Sequence, residues 1–574
     1  MSMPPSTISF ITPRSEVEIH LPDGRVLSGP RGTPVGDFLH PILDEYSQAP
    51  IVGAIVNNEL RELTYPIRME STVQPVTMAD EDGMRIYRRT LTLILEAAFE
   101  DLFPSARLTI DHSVAAGGYY CQVFERPALS NEELEQLKTA MWNIIHQDVP
   151  LVREKIPLQD AIHHFESKGH TDKVRLLAHR KKDFLILYRL GKHCDYHHGY
   201  MLPSSGYVQW FDLDHFEEGF TLRFPRRAIP KEVAPASKFP KMLASFRQYG
   251  ELLTTLGIES VGNLNDAILA NRIQEIVLVS EARHEQHLAE IARRIAERRE
   301  QIHVILIAGP SSSGKTTSSK RLSVQLLAHG ISPYPLEMDN YFVEREKTPR
   351  DEEGNYDFES IHALDREQLG NDLKRLIAGE RVQLPRFNFR MGRQEPGDTV
   401  QLHPGQIIIM EGIHGLHPEL LPNLPPEHTF RIYISALTQL NLDRYNRVST
   451  TDTRLLRRIV RDARERGYSA QDTIERWDSV TRGEKRNIFP YQENADVIFN
   501  SALVYELSVL RPFAEPLLRQ VPFGTHAFIE AKRLLALLEW FIPTSREFVP
   551  DNSLLCEFIG GSILKDFKAW GHSF

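Results

Sequence analysis

The stretch that most constrains this chain is His303-Val304-Ile305-Leu306-Ile307-Ala308, running into Gly309-Pro310-Ser311-Ser312-Ser313-Gly314-Lys315-Thr316-Thr317. The apolar run predicts a buried strand, and the residues after it, Ser318 to Ala328, predict a helix. A strand that empties into Gly-x-x-x-x-Gly-Lys-Thr and leaves as a helix is the context of a phosphate-binding loop. Gly309 and Gly314 permit backbone angles that a side chain forbids. The bend then aims backbone N–H groups inward at a helix N-terminus, where anions are favoured. Lys315 is expected to reach the β- and γ-phosphates of ATP, and the Thr316 hydroxyl to hold Mg²⁺. The predicted cradle is Gly309, Ser311, Ser312, Ser313, Gly314, Lys315, Thr316 and Thr317. A Gly/Ser-rich turn without a ligand is the alternative, and the flanking strand and helix weigh against it.

At 574 residues the chain is too long for one core, so three or four domains are expected. A net charge of −10 argues against a protein that binds duplex nucleic acid over its whole surface. The three cysteines, Cys121, Cys194 and Cys556, lie far apart and form no metal-type pair. The start, Met1 to Arg14, lacks a signal-peptide pattern, and no apolar run is long enough to span a bilayer. The expectation is a cytoplasmic, multidomain, soluble protein without membrane contact.

Along the chain, residues 1–14 read as a flexible lead-in. Alternation at Val17, Ile19 and Leu21, a turn at Pro22-Asp23-Gly24 and resumption at Arg25-Val26-Leu27 predict a hairpin. A short helix near Val35 to Leu39 and strands at Ile51 to Val56 and near Val73 complete a β-grasp module over 15–78. With Leu21-Pro22-Asp23-Gly24 as its opening turn, the module resembles the TGS domain, which carries no chemistry. The resemblance implies RNA or partner contact.

Residues 79–228 follow as an α+β module. A helix is expected from Thr90 to Leu102, and Ala115-Ala116-Gly117-Gly118 predicts a turn into a strand. The order resembles the second N-terminal domain of threonyl-tRNA synthetases, whose editing site needs His-x-x-x-His on the helix and Cys-x-x-x-His later. Here those positions fall on Arg89 and Leu93, and near His197 and Met201. Arg89 cannot give up its proton to bind a metal. The spacing within His193-Cys194-Asp195-Tyr196-His197-His198 is wrong for a closed zinc site, so a hydrogen-bonded polar cluster or relic pocket is expected. Residues 229–300 predict a helical connector, with His284 and His287 on an exposed face of a long solvated helix.

Over 301–520 the expected fold is an α/β, doubly wound, mostly parallel sheet. Pro333 to Met338 predicts a second strand ending at Asp339, and Gln406 to Gly412 another ending at Glu411. Carboxylates at strand tips lie where ligands gather. Either is a candidate base from position alone, with Glu411 the candidate Mg²⁺ ligand. Arg454, Arg457, Arg458, Arg461 and Arg464 recur at helical spacing, a face suited to a lid over triphosphate.

Several motifs here resemble the uridine kinase and phosphoribulokinase family. They are Gly309 to Thr317, Met338-Asp339-Asn340-Tyr341-Phe342, Asn355-Tyr356-Asp357-Phe358, Leu384 to Phe389, Ile409-Met410-Glu411-Gly412-Ile413 and Asp452 to Asp462. The resemblance implies a P-loop kinase that phosphorylates a nucleoside-like hydroxyl, with Asp339 as base and Asp357 on the ribose. Lys315 and Arg458 would assist transfer, and Arg454 and Arg461 would contact ATP. Tyr341, Asp357, Phe387 and Arg393 are the acceptor-site candidates. Phe387 stands where uridine kinases carry Tyr, and their following histidine is absent, so an apolar ring remains to stack on a base. A sugar-phosphate kinase is the nearest alternative, with Arg386, Arg390 and Arg393 as phosphate partners. An ATP-switched regulator docking on tRNA or ribosome is another, and a tRNA-editing hydrolase is disfavoured by the missing ligands. The extension 521–574 is expected to pack on the kinase. The assembly state stays open, a homo-oligomer included.

Overall fold

The computed structural model describes residues 12, 14–114, 117–236, 239–350, 354, 356–388 and 391–568. Most of the lead-in, the Ala115-Ala116 turn, Asn355, Phe389 and Arg390 lie outside the described residues. The chain divides into two compact units. The first comprises Met1–His164, Lys182–Ser237 and Pro522–Ile529; the second comprises Phe165–Lys181, Lys238–Val521 and Glu530–Phe574.

In the first unit, strands β1 (Glu16–His20), β2 (Val26–Pro30), β3 (Ile51–Val56), β4 (Glu59–Arg61) and β5 (Ser71–Thr77) form one mixed sheet. Its order is β2-β1-β5-β3-β4, with β1 and β5 parallel and the other pairs antiparallel. Helix α1 (Val35–Leu39) covers it through Val35, Phe38 and Leu39, and the whole is a β-grasp fold. Helix α2 (Glu81–Leu102) starts nine residues before Thr90, where the sequence predicted it. Gly83 explains the difference: a Cβ there would lie 1.9 Å from the Thr77 carbonyl oxygen, so glycine lets the first turn pack on β5. The strands β6 (Arg107–Val114) and β7 (Gly118–Phe124), helix α3 (Asn131–His146), then β8 (Leu151–Pro157), β9 (Phe184–Leu190), β10 (His193–Asp195), β11 (Asp212–Phe216) and β12 (Gly219–Arg223) complete the α+β module. They make two antiparallel sheets, β11-β12-β7-β6 and β10-β9-β8.

The second unit carries helices α4 (Pro240–Leu256), α5 (Val261–Leu269) and α6 (Ile273–Ala296) ahead of its sheet. The expected boundaries shift in three places. Residues 165–181 join this unit: Asp172 pairs with Arg444 at 2.6 Å and His179 with Asp266 at 2.6 Å. The segment 229–300 is divided near residue 238, and 522–529 belongs to the first unit. Helix α6 is also less solvated than expected. His284 is buried, its Nε2 3.2 Å from the Ala502 carbonyl oxygen, and burial drops its pKa to about 3, so the ring is neutral.

The sheet of this unit is wholly parallel, in the order β14 (Pro333–Glu337), β17 (Ile407–Glu411), β13 (Val304–Ala308), β18 (Thr429–Ser435), β19 (Val497–Asn500). Every residue of β13 is buried, which is why it reads as an unbroken apolar run. Helix α7 (Lys315–Ala328) follows β13, and helix α8 (Arg366–Ile377) precedes a two-stranded ribbon of β15 (Val382–Asn388) and β16 (Arg393–Val400). Helices α9 (Thr450–Glu465), α10 (Ala470–Asn487), α11 (Glu506–Leu518) and α12 (Cys556–Ile559) are among those that follow. The second unit is an α/β P-loop fold with a wholly parallel sheet, preceded in the chain by β-grasp and α+β modules.

Helix α9 is not a lid. Leu455, Leu456, Ile459 and Val460 fix its inner face in the core, and the helical spacing carries Arg454 and Arg457 inward with them. Arg454 forms a bidentate pair with Glu484, at 2.6 and 2.9 Å, and Arg457 bonds Glu506 at 2.6 Å. Removing one partner of such a pair strands a buried charge. Arg457→Ala is expected to cost about 3–5 kcal/mol in denaturant unfolding. The double variant with Glu506→Ala should cost less than the sum of the singles, and full additivity would mean the two side chains are uncoupled.

Candidate active site

The loop Gly309–Thr317 leaves the carboxyl end of β13 and enters α7. A Cβ at Gly309 would lie 2.0 Å from the Ile434 carbonyl oxygen, so only glycine fits. Gly314 has φ +87° and abuts Leu554, which would lie 2.6 Å from an added Cβ. Lys315 Nζ bends back over the loop, donating to the Gly309 and Pro310 carbonyls at 2.9 Å each. Burial lowers its pKa, while Glu411, Glu557 and Glu484 pull it back up.

Thr316 Oγ1 donates to Glu411 Oε1 at 2.9 Å. The other carboxylate oxygen, Oε2, is buried with no hydrogen-bond partner. Burial raises the Glu411 pKa, and Lys315 counteracts it. A hydroxyl and a carboxylate with an unengaged oxygen form a hard, all-oxygen donor set, which suits Mg²⁺.

The loop is held from outside by α9. Arg454 donates to the Ser311 carbonyl (3.1 Å) and Arg457 to the Ser312 carbonyl (3.4 Å), and the Ser501 hydroxyl donates to the Ser313 carbonyl. The Ser311 N–H is itself taken by Glu484 at 2.7 Å. Two expectations change accordingly. Arg454 grips the loop backbone and is too buried to touch a triphosphate, and the Ser311 N–H faces Glu484 rather than the cradle. Arg458 and Arg461 are half-buried at the loop's edge, and Arg458 donates to Ser311 Oγ at 3.0 Å. The hydroxyls of Ser312 and Ser313 are buried without partners.

Asp339 follows β14. Enclosure raises its carboxyl pKa, Glu337 adds to this, and Lys315 opposes it, so the 315 and 339 charges share one electrostatic environment. Tyr341 is not an acceptor residue: it is buried in the core with its hydroxyl 3.1 Å from Asp372, because it closes the turn after Asp339 from beneath. Asp357 Oδ2 lies 3.4 Å from Arg486, and Arg393 is exposed on the ribbon, 3.9 Å from Glu395. Phe387 is buried edge-on against Phe342 at 5.7 Å, and Phe342 meets Phe358 at 6.1 Å.

Two carboxylates escaped the sequence reading. Glu359 is partly buried beside Asp357 and Glu484, and Gly483 leaves it room: a Cβ there would clash with Glu359 at 2.3 Å. Glu557, on α12, accepts from the Thr317 N–H at 3.2 Å and from its hydroxyl at 2.9 Å. A carboxylate therefore occupies an anion position at the α7 N-terminus. The apolar segment Leu554 to Ile559 signalled that this region packs inside, but not where.

Residues 304–508 match the family described as Phosphoribulokinase / Uridine kinase. The N-terminal region is similar to threonine–tRNA ligases. That of Symbiobacterium thermophilum is 32% identical over 200 residues, covering 35% of this chain and 30% of the ligase. The chain thus spans about a third of the length of the curated relatives it matches. Among solved structures, a possible uridine kinase from Bacillus stearothermophilus is 25% identical, covering 37% of this chain and 99% of that one, with a TM-score of 0.22. A D-glycerate 3-kinase from Cryptococcus neoformans is 15% identical, covering 37% and 89%, with a TM-score of 0.26.

Burial, then the charges of Glu484 and Asp357, push Glu359 up to about 7, against Arg458 and Lys315. A carboxyl raised in the fold contributes stability in full below its unfolded pKa, and that contribution is lost as pH rises through the folded value. Glu359→Gln should therefore stabilise the protein increasingly between about pH 5 and about pH 8, by on the order of 1–3 kcal/mol at the upper end. A thermal-melt increment that stays flat across that range would contradict the shift.

Proposed function

We propose that this chain transfers the γ-phosphoryl group of ATP to a hydroxyl of a small, nucleoside-like acceptor. The observation that carries the reading is the alignment of three neighbouring strand tips. β14 leads to Asp339, β17 ends at Glu411, and β13 leads to Lys315, with Glu337, Glu411 and Ile307 in register. A base, a metal-binding carboxylate and a phosphate-binding ammonium thus stand side by side at the carboxyl edge of a parallel sheet, where such folds bind ligands.

In this mechanism the acceptor hydroxyl gives its proton to Asp339, whose raised pKa favours receiving it. The oxygen–Pγ bond forms as the bond from Pγ to the β-phosphate oxygen breaks, and ADP leaves. Lys315, Arg458 and Arg461 balance negative charge on the transferring group. Thr316 and Glu411 would hold Mg²⁺, which supplies further charge neutralisation at the phosphates. Phe342, Phe358 and Phe387 form an aromatic wall suited to stacking a base, with Asp357 available for hydroxyls. Arg386 and Arg393 favour a phosphorylated sugar instead, and a panel of nucleosides and sugar phosphates separates the two. The synthetase-like region supports RNA contact as a second property of this chain, checked by RNA that co-purifies with it.

Asp339→Asn is expected to lower kcat by roughly 10²–10⁴-fold while ATP affinity holds, since a base acts only in the transition state. Unchanged transfer would remove Asp339 from its role. Glu557 occupies donors that a phosphate would use, so Glu557→Ala should tighten nucleotide binding by roughly tenfold in calorimetry. Weaker binding would instead make Glu557 a supporting residue of the site.

A further inference from the structure

In the first unit, four side chains from two stretches about a hundred residues apart converge in the protein interior. Glu96 projects from α2, His193 and Asp195 lie on β10, and His197 follows two residues on. Alternation along extended chain puts residues 193, 195 and 197 on one side and Cys194 and Tyr196 on the other. Their relative exposures are 0% for Glu96, 6% for His193, 0% for Asp195 and 3% for His197.

A buried carboxylate normally gathers hydrogen bonds. Both oxygens of Glu96 are buried and neither accepts one. The two imidazoles instead present their Nε2 atoms to it: His197 Nε2 stands 3.0 Å from Oε1 and His193 Nε2 3.6 Å from Oε2, also without hydrogen-bond geometry. Ligating atoms of Glu96, His193 and Asp195 all lie within 4.8 Å of one another. The far side of one ring is braced, with His193 Nδ1 3.1 Å from Glu100 Oε2, which turns Nε2 toward Glu96. A carboxylate behind a histidine is the usual support of a metal-binding imidazole.

We propose that Glu96, His193, Asp195 and His197 bind one divalent transition-metal ion, Zn²⁺ being the best fit. Two nitrogens and two carboxylate oxygens make a four-ligand set, and imidazole donors favour zinc over magnesium or calcium. Metal–ligand bonds of about 2.0–2.2 Å in a tetrahedron put ligand atoms about 3.3 Å apart. The Glu96 contacts to both histidines already bracket that spacing, and Asp195 closes the set by a side-chain adjustment. The enclosure leaves no open position for a substrate, so the ion is structural and ties β10 to α2. The set does not depend on Arg89, which donates to the Tyr200 carbonyl at 3.2 Å.

The test uses the full-length chain. It is stripped with a chelator, dialysed and titrated with Zn²⁺, with Mg²⁺ as control, and bound metal is measured by mass spectrometry alongside thermal melts. About one equivalent of retained zinc per chain and a raised melting temperature with zinc but not magnesium are expected. Glu96→Gln keeps the shape and should lose at least tenfold in zinc affinity, and His197→Asn should do the same if the first variant fails to fold. Failure of the wild type to take up zinc would overturn the proposal, leaving a buried carboxylate–imidazolium cluster. So would either variant binding zinc as tightly as wild type.

Discussion

The phosphate loop is the part of this structure on which the rest depends, and two buried guanidinium groups hold it from behind. Arg454 and Arg457 take the carbonyls of Ser311 and Ser312, and Ser501 takes that of Ser313. A peptide whose carbonyl is fixed outward leaves its N–H no choice but the opposite side. Each arginine is in turn neutralised by its own glutamate, Glu484 or Glu506, so neither brings an uncompensated charge inside. Such pairs add little net stability compared with apolar packing. What they supply here is geometry: the loop is shaped before any anion arrives, so binding need not bear the cost of ordering it.

This arrangement divides one arginine-rich helix between two tasks. The residues that share the leucine face, Arg454 and Arg457, are structural, and those one step round, Arg458 and Arg461, remain near enough to solvent to meet a ligand. The carboxyl end of the chain returns to the same place. Leu554 lies against Gly314, Lys320 donates to the Leu564 and Lys565 carbonyls, and Glu557 caps Thr317. The site is therefore assembled from several separated stretches of the second unit, and the parallel sheet supplies the common edge on which they meet.

Much of this was legible beforehand, for physical reasons. The loop is local in sequence, and its strand is apolar because both faces are covered, so the pattern could be read directly. Asp339 and Glu411 could be placed because a strand tip in a parallel sheet has only one destination. Tyr341 could not: a residue two positions from a catalytic candidate can turn into the core, and the sequence does not record which way a 3₁₀ turn closes. The inward arginines are hidden in the sequence because dense charge suggests a solvated face, although Leu455, Leu456, Ile459 and Val460 mark the buried one. Glu359 and Glu557 act through contacts over long separations, which spacing cannot reveal. Around His193 the residues that converge follow the two-residue period of a strand, and Glu96, which they face, lies about a hundred residues away, so spacing alone does not reveal the grouping.

The most direct test of the central claim is a crystal structure with Mg²⁺ and a non-hydrolysable ATP analogue. Lys315 Nζ is expected to leave the Gly309 and Pro310 carbonyls for the terminal phosphate, with the Asp339 carboxylate facing that phosphorus from the acceptor side. An analogue seated elsewhere, or Lys315 and Asp339 opening onto separate cavities, would contradict it.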